Sequence, residues 1–445
     1  MKIAIVGAGI AGMGAALALA ERHEVALFEQ ADRAGGHANT REIDYPLEGG
    51  GSERIAVDTG FIVYNEKTYP NLVSMFDMLG TETQWSDMSL GFSIDDGRVE
   101  WAGDNLNKIF GQRRNLLRPS FIRMARAVLR FNRDAVEALE EGVGDESIGG
   151  WLDARGYSDD FRQLYLYPMA GAIWSTRSAD VADFPARALF GFYRNHELFA
   201  GLDDAVQWRT VAGGSQRYVA QVRERLGGRM RLGNAVASVI PDAGGVQLRL
   251  SDGTEERFDH AVLAVHSDEA LTLVPNADGE TRRLLGAVRY APNIAWLHRD
   301  RRLMPQRERV WSSWNAITGE APDGGDAERH GASVTYWMNR LQGIDRSMPL
   351  FVSLNPAAPP DPALTFATVD YAHPQYDAAA FDAQEAMDAV QGRQGLWFAG
   401  AWLGYGFHED GLRSGLRVAE ALGARPGWVR DTGTKLRPAE ALAAQ

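Results

Sequence analysis

"MKIAIVGAGIAGMGAALALAERHEVALFEQ", residues 1–30, decides the fold. Lys2–Val6 is a continuous apolar run, the kind of strand a parallel sheet buries on both faces. Gly7-x-Gly9-x-x-Gly12 follows at once. The first glycine makes a tight turn, the second leaves bare backbone for a pyrophosphate, and the third lets a helix, expected over Met13–Arg22, lie on the strand. With Ala8, Ile10 and Ala11 between the glycines, the turn presents free N–H groups and the positive end of the helix to phosphate. A second strand, "EVALFEQ", ends in Glu29 and Gln30. Glu29 lies 22 residues past Gly7, where a carboxylate meets the ribose hydroxyls of a dinucleotide. The opening imitates a signal peptide, but glycines at fixed spacing break the apolar run and no cleavage-like polar region follows. These residues predict a dinucleotide-binding unit for NAD or FAD.

The bulk composition narrows the class. The chain has 445 residues, long enough for two domains, and no Cys, which rules out disulfides, thiolate metal sites and redox thiols. A formal charge of −13 speaks against nucleic acid as a partner. No stretch of transmembrane length is free of charges or repeated glycines. The expectation is a cytoplasmic protein whose membrane contact, where it has one, is peripheral and on the inner face. A homodimer is compatible with the sequence, and no His or carboxylate spacing suggests a metal.

Three further segments extend the opening motif. "QADRAGGHANT" places Arg33, Gly35, Gly36 and His37 just after Glu29, and "IAVDTGF" offers Asp58, Thr59, Gly60 and Phe61. Residues 210–265 read as a Gly-Gly turn, a helix, a hairpin around Asp252-Gly253 and the apolar strand "HAVLAV". Near the end, "LWFAGAWLGYGFHEDGLRSGLRVAEAL", residues 396–422, reads as strand, Gly- and aromatic-rich turn, and helix. Together these resemble the FAD-dependent amine oxidase and phytoene desaturase superfamily, with His37 where the family's second Arg usually stands and Ala401 where an acidic residue is common. The resemblance implies an α/β fold: a Rossmann-like FAD domain with a parallel sheet and a β-hairpin, joined to a mixed α+β substrate domain. It implies FAD as cofactor, a backbone contact at Val236, and closure over the flavin by Gly400, Ala401, Gly406, Phe407, His408 and Gly411. The helix starting near His408 would turn its positive end toward the flavin.

The expected domains are 1–64, 206–284 and 391–425 for FAD, 65–205 and 285–390 for substrate, and a tail, 426–445. In the substrate half, "AWLHRD", "RVWSSWN", "SVTYWMNRLQ" and "PLFVSLNP" read as strands, with helices over 119–141 and 147–166. Aromatics crowd this half; those near motif glycines, Tyr64, Tyr167, Trp174, Trp402 and Tyr405, are the candidate substrate lining. Only four lysines occur, none in a strand of the second insertion, where His298 stands instead. His408, in the closing turn, is the candidate catalytic residue. Residues 105–133 hold eight basic residues and no acidic one. There the 3.6-residue period puts Phe121, Ala125, Val128, Leu129 and Asn132 on one face. Arg123, Arg126, Arg130 and Arg133 take the other, either as a solvated face or as a contact for anionic membrane.

Phrases such as "DTGFIVYN", "PMAGAIW" and "TYWMNRLQ" look like a bacterial subgroup whose genes accompany cyclopropane-fatty-acyl-phospholipid synthases. That resemblance implies hydride abstraction to flavin N5 from an allylic position of a modified fatty acyl chain in phospholipid. The alternatives are an amine oxidase producing imine and hydrogen peroxide, which the scarcity of Lys disfavours, and a non-catalytic FAD-binding escort protein.

Overall fold

The computed structural model describes residues 1–174, 178–196, 198–199, 206–319 and 333–436. Lys2–Val6 is the middle strand of a five-stranded parallel sheet. Glu24–Phe28 and then Met230–Arg231 lie to one side of it, His260–Leu263 and then Leu396–Phe398 to the other. Residues from both ends of the chain thus share one sheet, and their apolar side chains are buried on both of its faces. The first helix runs over Ile10–Leu19 with Gly9 as its N-cap, three residues earlier than the glycine pattern suggested. Gly12 therefore lies in its first turn, where a Cβ would come within 1.9 Å of the Gly7 carbonyl oxygen. The last helix, His408–Ala421, packs directly on the first. A Cβ on Gly415 would lie 2.2 Å from the Ala11 carbonyl oxygen, and one on Gly14 would lie 2.3 Å from Leu412 Cδ1. Small residues let the two backbones approach, which joins the closing turn to the opening one.

An antiparallel three-stranded sheet, Val236–Asp242, Gly245–Leu250 and Glu255–Phe258, carries the expected hairpin. The other half is built on a seven-stranded mixed sheet. Its order is Thr365–Gln375, Arg289–His298, Phe351–Leu354, Ser333–Trp337, Trp314–Ile317, Leu90–Ile94 and Val99–Ala102, with one parallel pair, Trp314–Ile317 beside Leu90–Ile94. The strand expected to continue to Gln342 ends at Trp337, where Met338–Leu341 turns helical. The helix expected over 147–166 is broken. Ile148–Ala154 ends near Gly156, whose φ of +65° is costly for other residues, and the chain restarts at Asp159 and passes through a wide turn, Arg162–Leu166, into Tyr167–Trp174.

The long helix Pro119–Glu141 forms as expected, with Pro at its first position, but its buried face is not the one the period suggested. Phe121, Met124, Phe131, Ala135 and Ala138 are buried; Leu129 is 74% exposed, and Ala125, Val128 and Asn132 are half-buried. The reason is Phe131. Its ring sits among Trp151, Tyr157, Phe161, Phe190 and Tyr193, a larger apolar contact than Leu129 could make, and it rotates the helix about its axis. Residues 426–436 lie against the first half of the molecule: Val429 and Leu436 are buried there, and the Asn71 side chain accepts from the Arg430 and Asp431 backbone. Residues 437–445 of the expected tail lie outside the described residues.

Candidate active site

The carboxyl ends of the parallel strands converge on one crevice, the usual ligand position in such sheets. Gly7, with φ +99°, donates its N–H to the Phe28 carbonyl at 2.8 Å and folds the turn back over the second strand. A Cβ on Gly9 would meet nothing within 4 Å, and one on Gly36 would point at Gly9 Cα, 3.2 Å away. Two bare glycines therefore flank an open cradle at the N-terminus of Ile10–Leu19, whose first turn holds no acidic residue and no side-chain cap. That arrangement suits a diphosphate. Gly35, with φ +116°, donates to the Ala8 carbonyl and fixes the second loop against the first. Glu29 accepts from Ala8 N at 2.8 Å and from Ala31 N at 3.0 Å, so it holds the glycine turn as well as standing at the ribose position. Gln30 is exposed, and Arg33, also exposed, donates to the Gly36 carbonyl. Asn234 N donates to the Glu29 carbonyl, which brings Val236 beside the end of the second strand.

Asp58 is not on this cradle. Its carboxylate accepts from Thr40 Oγ1, from the N–H and hydroxyl of Ser215, and from Gln342 Nε2, and its burial raises its pKa to about 6. It ties three distant segments together and has no oxygen to spare for a ligand. Thr59 and Gly60 are likewise packed: Thr59 Oγ1 donates to the Asn39 carbonyl, and a Cβ on Gly60 would lie 2.2 Å from the His37 carbonyl oxygen. His37, next to Gly36, keeps company the sequence did not reveal. It stacks on Tyr371 at 4.8 Å and lies 5.6 Å from His373 and 6.1 Å from His266, whose ring stacks on Tyr290. Burial first, then the neighbouring His373 and His266, holds the His37 pKa well below its ordinary value; burial and His266 hold His373 at about 4. The only trace in the sequence is the alternation in "YAHPQY", which puts Tyr371 and His373 on one side of a strand.

The closing turn is more acidic than its glycines suggested. Gly400 N is held by Ser414 Oγ, and Gly411 lies close enough to Ile10 that a Cβ would touch it at 2.8 Å. Ala401 stands next to Gly411. His408 stacks on Phe61 at 3.7 Å, its Nε2 is 3.1 Å from Tyr218 Oη, and burial lowers its pKa to about 3. Beside it, Asp410 accepts from Tyr405 N and Phe407 N, while Glu409 accepts from the N–H groups of Asn71 and Leu72 and from the Asn71 amide. Burial raises both carboxyls, Glu409 to about 7. The N-terminus of His408–Ala421 thus carries two buried carboxyls of its own, which oppose the positive helix end expected there. Glu409 and Asp410 stood in plain view in "FHEDG", without a pattern to mark them.

Three of the candidate lining residues are in the core beside this turn. Trp174 stacks on Phe184 at 4.8 Å and meets Phe192 at 4.6 Å; Phe192 in turn meets Tyr405 at 5.9 Å and Phe407 at 5.3 Å. Tyr167 belongs to the same core. Tyr376 joins this wall through Phe381, with its buried hydroxyl unpartnered among the described residues and directed at Gly406, whose φ of +93° and missing Cβ make room for it. Tyr64 and Trp402 are elsewhere. Tyr64 packs on Phe76 beneath the parallel sheet, and Trp402 donates to the Val265 carbonyl in the core under the hairpin. His298 is structural: it has no exposed surface, its Nδ1 accepts from Asp300 N, and its Nε2 donates to Ser353.

A sequence profile for flavin containing amine oxidoreductase matches residues 10–335. The chain belongs to this family. It is an FAD-dependent oxidoreductase. Its fold is similar to wild-type putrescine oxidase bound to putrescine, with 16% identity, TM-score 0.66 and coverage of 96% of this chain and 100% of that one. It is also similar to the CLA-producing fatty acid isomerase from P. acnes (15%, 0.63, 95% and 97%) and to cyclohexylamine oxidase from Brevibacterium oxydans IH-35A (17%, 0.63, 95% and 99%). At these identities the likeness is one of fold. The residues present fit FAD: the Gly9–Gly36 cradle and helix N-terminus suit its diphosphate, and Glu29 suits its ribose. FAD, when bound, supplies the two-electron acceptor.

Proposed function

We propose that the enzyme dehydrogenates an allylic position in a methylated or unsaturated fatty acyl chain of phospholipid. One observation carries this reading: the closing turn is walled by aromatic rings, while both of its carboxyls are spent on protein donors. A cationic amine entering there would find, among the described residues of the turn, no free carboxylate to pair with, and a buried unpaired charge is costly. An alkenyl chain needs only apolar walls. The lysines agree: Lys2 lies over Phe258, Lys108 on Asp104, and Lys67 and Lys435 are exposed. Similarity to a fatty acid isomerase supports a fold able to take acyl chains. Removing hydride from an allylic carbon leaves a delocalised cation whose neighbouring proton is strongly acidic. A weak, neutral base is then sufficient, and we assign that role to His408. The test is to incubate FAD-loaded enzyme with phospholipids of defined acyl chains and analyse the chains by mass spectrometry. Loss of two hydrogens from an acyl chain is expected. Unchanged lipid, together with conversion of an added amine to imine and peroxide, contradicts the proposal.

A further inference from the structure

We propose that the surface formed by residues 105–136 docks on an anionic lipid membrane. The proposal stands on this surface alone and does not depend on which substrate the site accepts. Large apolar side chains are exposed at Leu106, Leu116, Leu117, Leu129 and Val136, all within this one stretch, with Leu117 87% exposed. Leu129 and Val136 are seven residues apart, so they lie on one face of Pro119–Glu141, together with half-buried Ile122 seven residues earlier. Leu116 and Leu117 immediately precede that helix. Leu106 belongs to a short helix, Leu106–Ile109, held to the first turn of Pro119–Glu141 by the Phe110–Phe121 contact at 5.9 Å.

The charges around these residues are the second observation. Arg123, Arg130 and Arg133 are paired with Asp160 and Asp134. Arg113, Arg114, Arg118 and Arg126 have no carboxylate within ion-pair distance among the described residues. Arg126 and Arg133 flank the Leu129 stripe. In an acidic protein, residues 105–133 hold eight basic residues and no acidic one, and the four arginines left without a carboxylate, interleaved with protruding leucines, are complementary to a phosphate-rich surface with an apolar interior. The arginine stems can lie along the interface while their guanidinium groups reach the phosphates. No helix among the described residues is long and apolar enough to cross a membrane, so the contact is peripheral.

The experiment sediments the full-length, FAD-loaded protein with phosphatidylcholine vesicles, with and without phosphatidylglycerol, at low and high salt. Wild type is expected to follow the anionic vesicles and to be released by salt. Replacing Arg113, Arg114 and Arg126 together by Gln should weaken binding on the order of a hundredfold. The Leu117→Ser, Leu129→Ser pair should weaken it by about tenfold or more while leaving the salt dependence in place. All five side chains are on the surface, so flavin absorbance and melting temperature should stay at wild-type values and certify both variants as folded. Equal binding to neutral and anionic vesicles, no binding to either, or wild-type binding by both variants overturns the proposal. So does a dimer that the arginine variant disperses while vesicles bind neither protein, because the face would then belong to a second copy of the chain.

Discussion

Gly9 shows how much one missing side chain carries. Its backbone, φ −75°, is open to any residue, and a Cβ there meets nothing. The fold therefore makes no demand for glycine at this position; only a ligand in the cradle does. Gly9→Val should leave the unfolding free energy of the flavin-free protein within about 0.5 kcal/mol of wild type, the range of neutral surface changes. It should nevertheless purify without the yellow flavin absorbance, because the branched side chain fills the diphosphate position. A yellow Gly9→Val protein would place the cofactor elsewhere. Gly12 is the contrast: its Cβ would collide with the Gly7 carbonyl, so there fold and cofactor cannot be separated.

Among the elements, the opening strand–turn–helix and the closing strand–turn–helix were legible because each needs glycines at positions fixed by backbone geometry. The long helix was legible in extent but not in rotation. Its apolar residues occupy two adjoining stripes, and periodicity alone does not say which stripe finds the larger partner. Phe131, among six aromatic rings, won over Leu129. Phe131→Ala should accordingly cost about 3–5 kcal/mol by chemical denaturation, and Leu129→Ala less than about 0.5 kcal/mol. Comparable losses for both would return the helix to the rotation its period suggested. The site was harder to read for a related reason. Tyr371 and His373 reach His37 from the strand Thr365–Gln375, and His266, backed by Tyr290, from the turn before a helix, all so far along the chain that no spacing announces them, and Asp58 looked like a ligand-facing carboxylate until Ser215 and Gln342 came to meet it from far along the chain.

Across the whole molecule, buried neutral histidines set the response to acid. His196, His298 and His373 are held at about 4 and His408 at about 3, burial being the leading cause in each case. The unfolded chain takes up these protons below about pH 6.5 while the fold refuses them, so each histidine removes stability as pH falls from 6.5 towards 4. Glu409 and Asp58, held at about 7 and about 6, act the other way over much of this range, because their carboxyls keep protons in the fold that the unfolded chain has released. With His37 also held low and Asp410 also raised by burial, five histidines against three carboxyls leave a net loss on acidification. His298 is far from any proposed chemistry and isolates one share: His298→Gln should be less stable at neutral pH but flatten the acid slope by about 1.4 kcal/mol per pH unit. An unchanged slope would mean that His298 is already protonated in the fold.

At the same scale, an amine oxidase family fold carries an aromatic wall beside its closing turn, where Glu409 and Asp410, the carboxyls of that turn, are both held by protein donors. Anaerobic titration of the FAD-loaded enzyme tests that claim most directly. Phospholipid bearing an allylic acyl chain should bleach the oxidised flavin absorbance in proportion to the lipid added, while putrescine and cyclohexylamine leave it unchanged. Bleaching by the amines, with the lipid inert, would contradict the account.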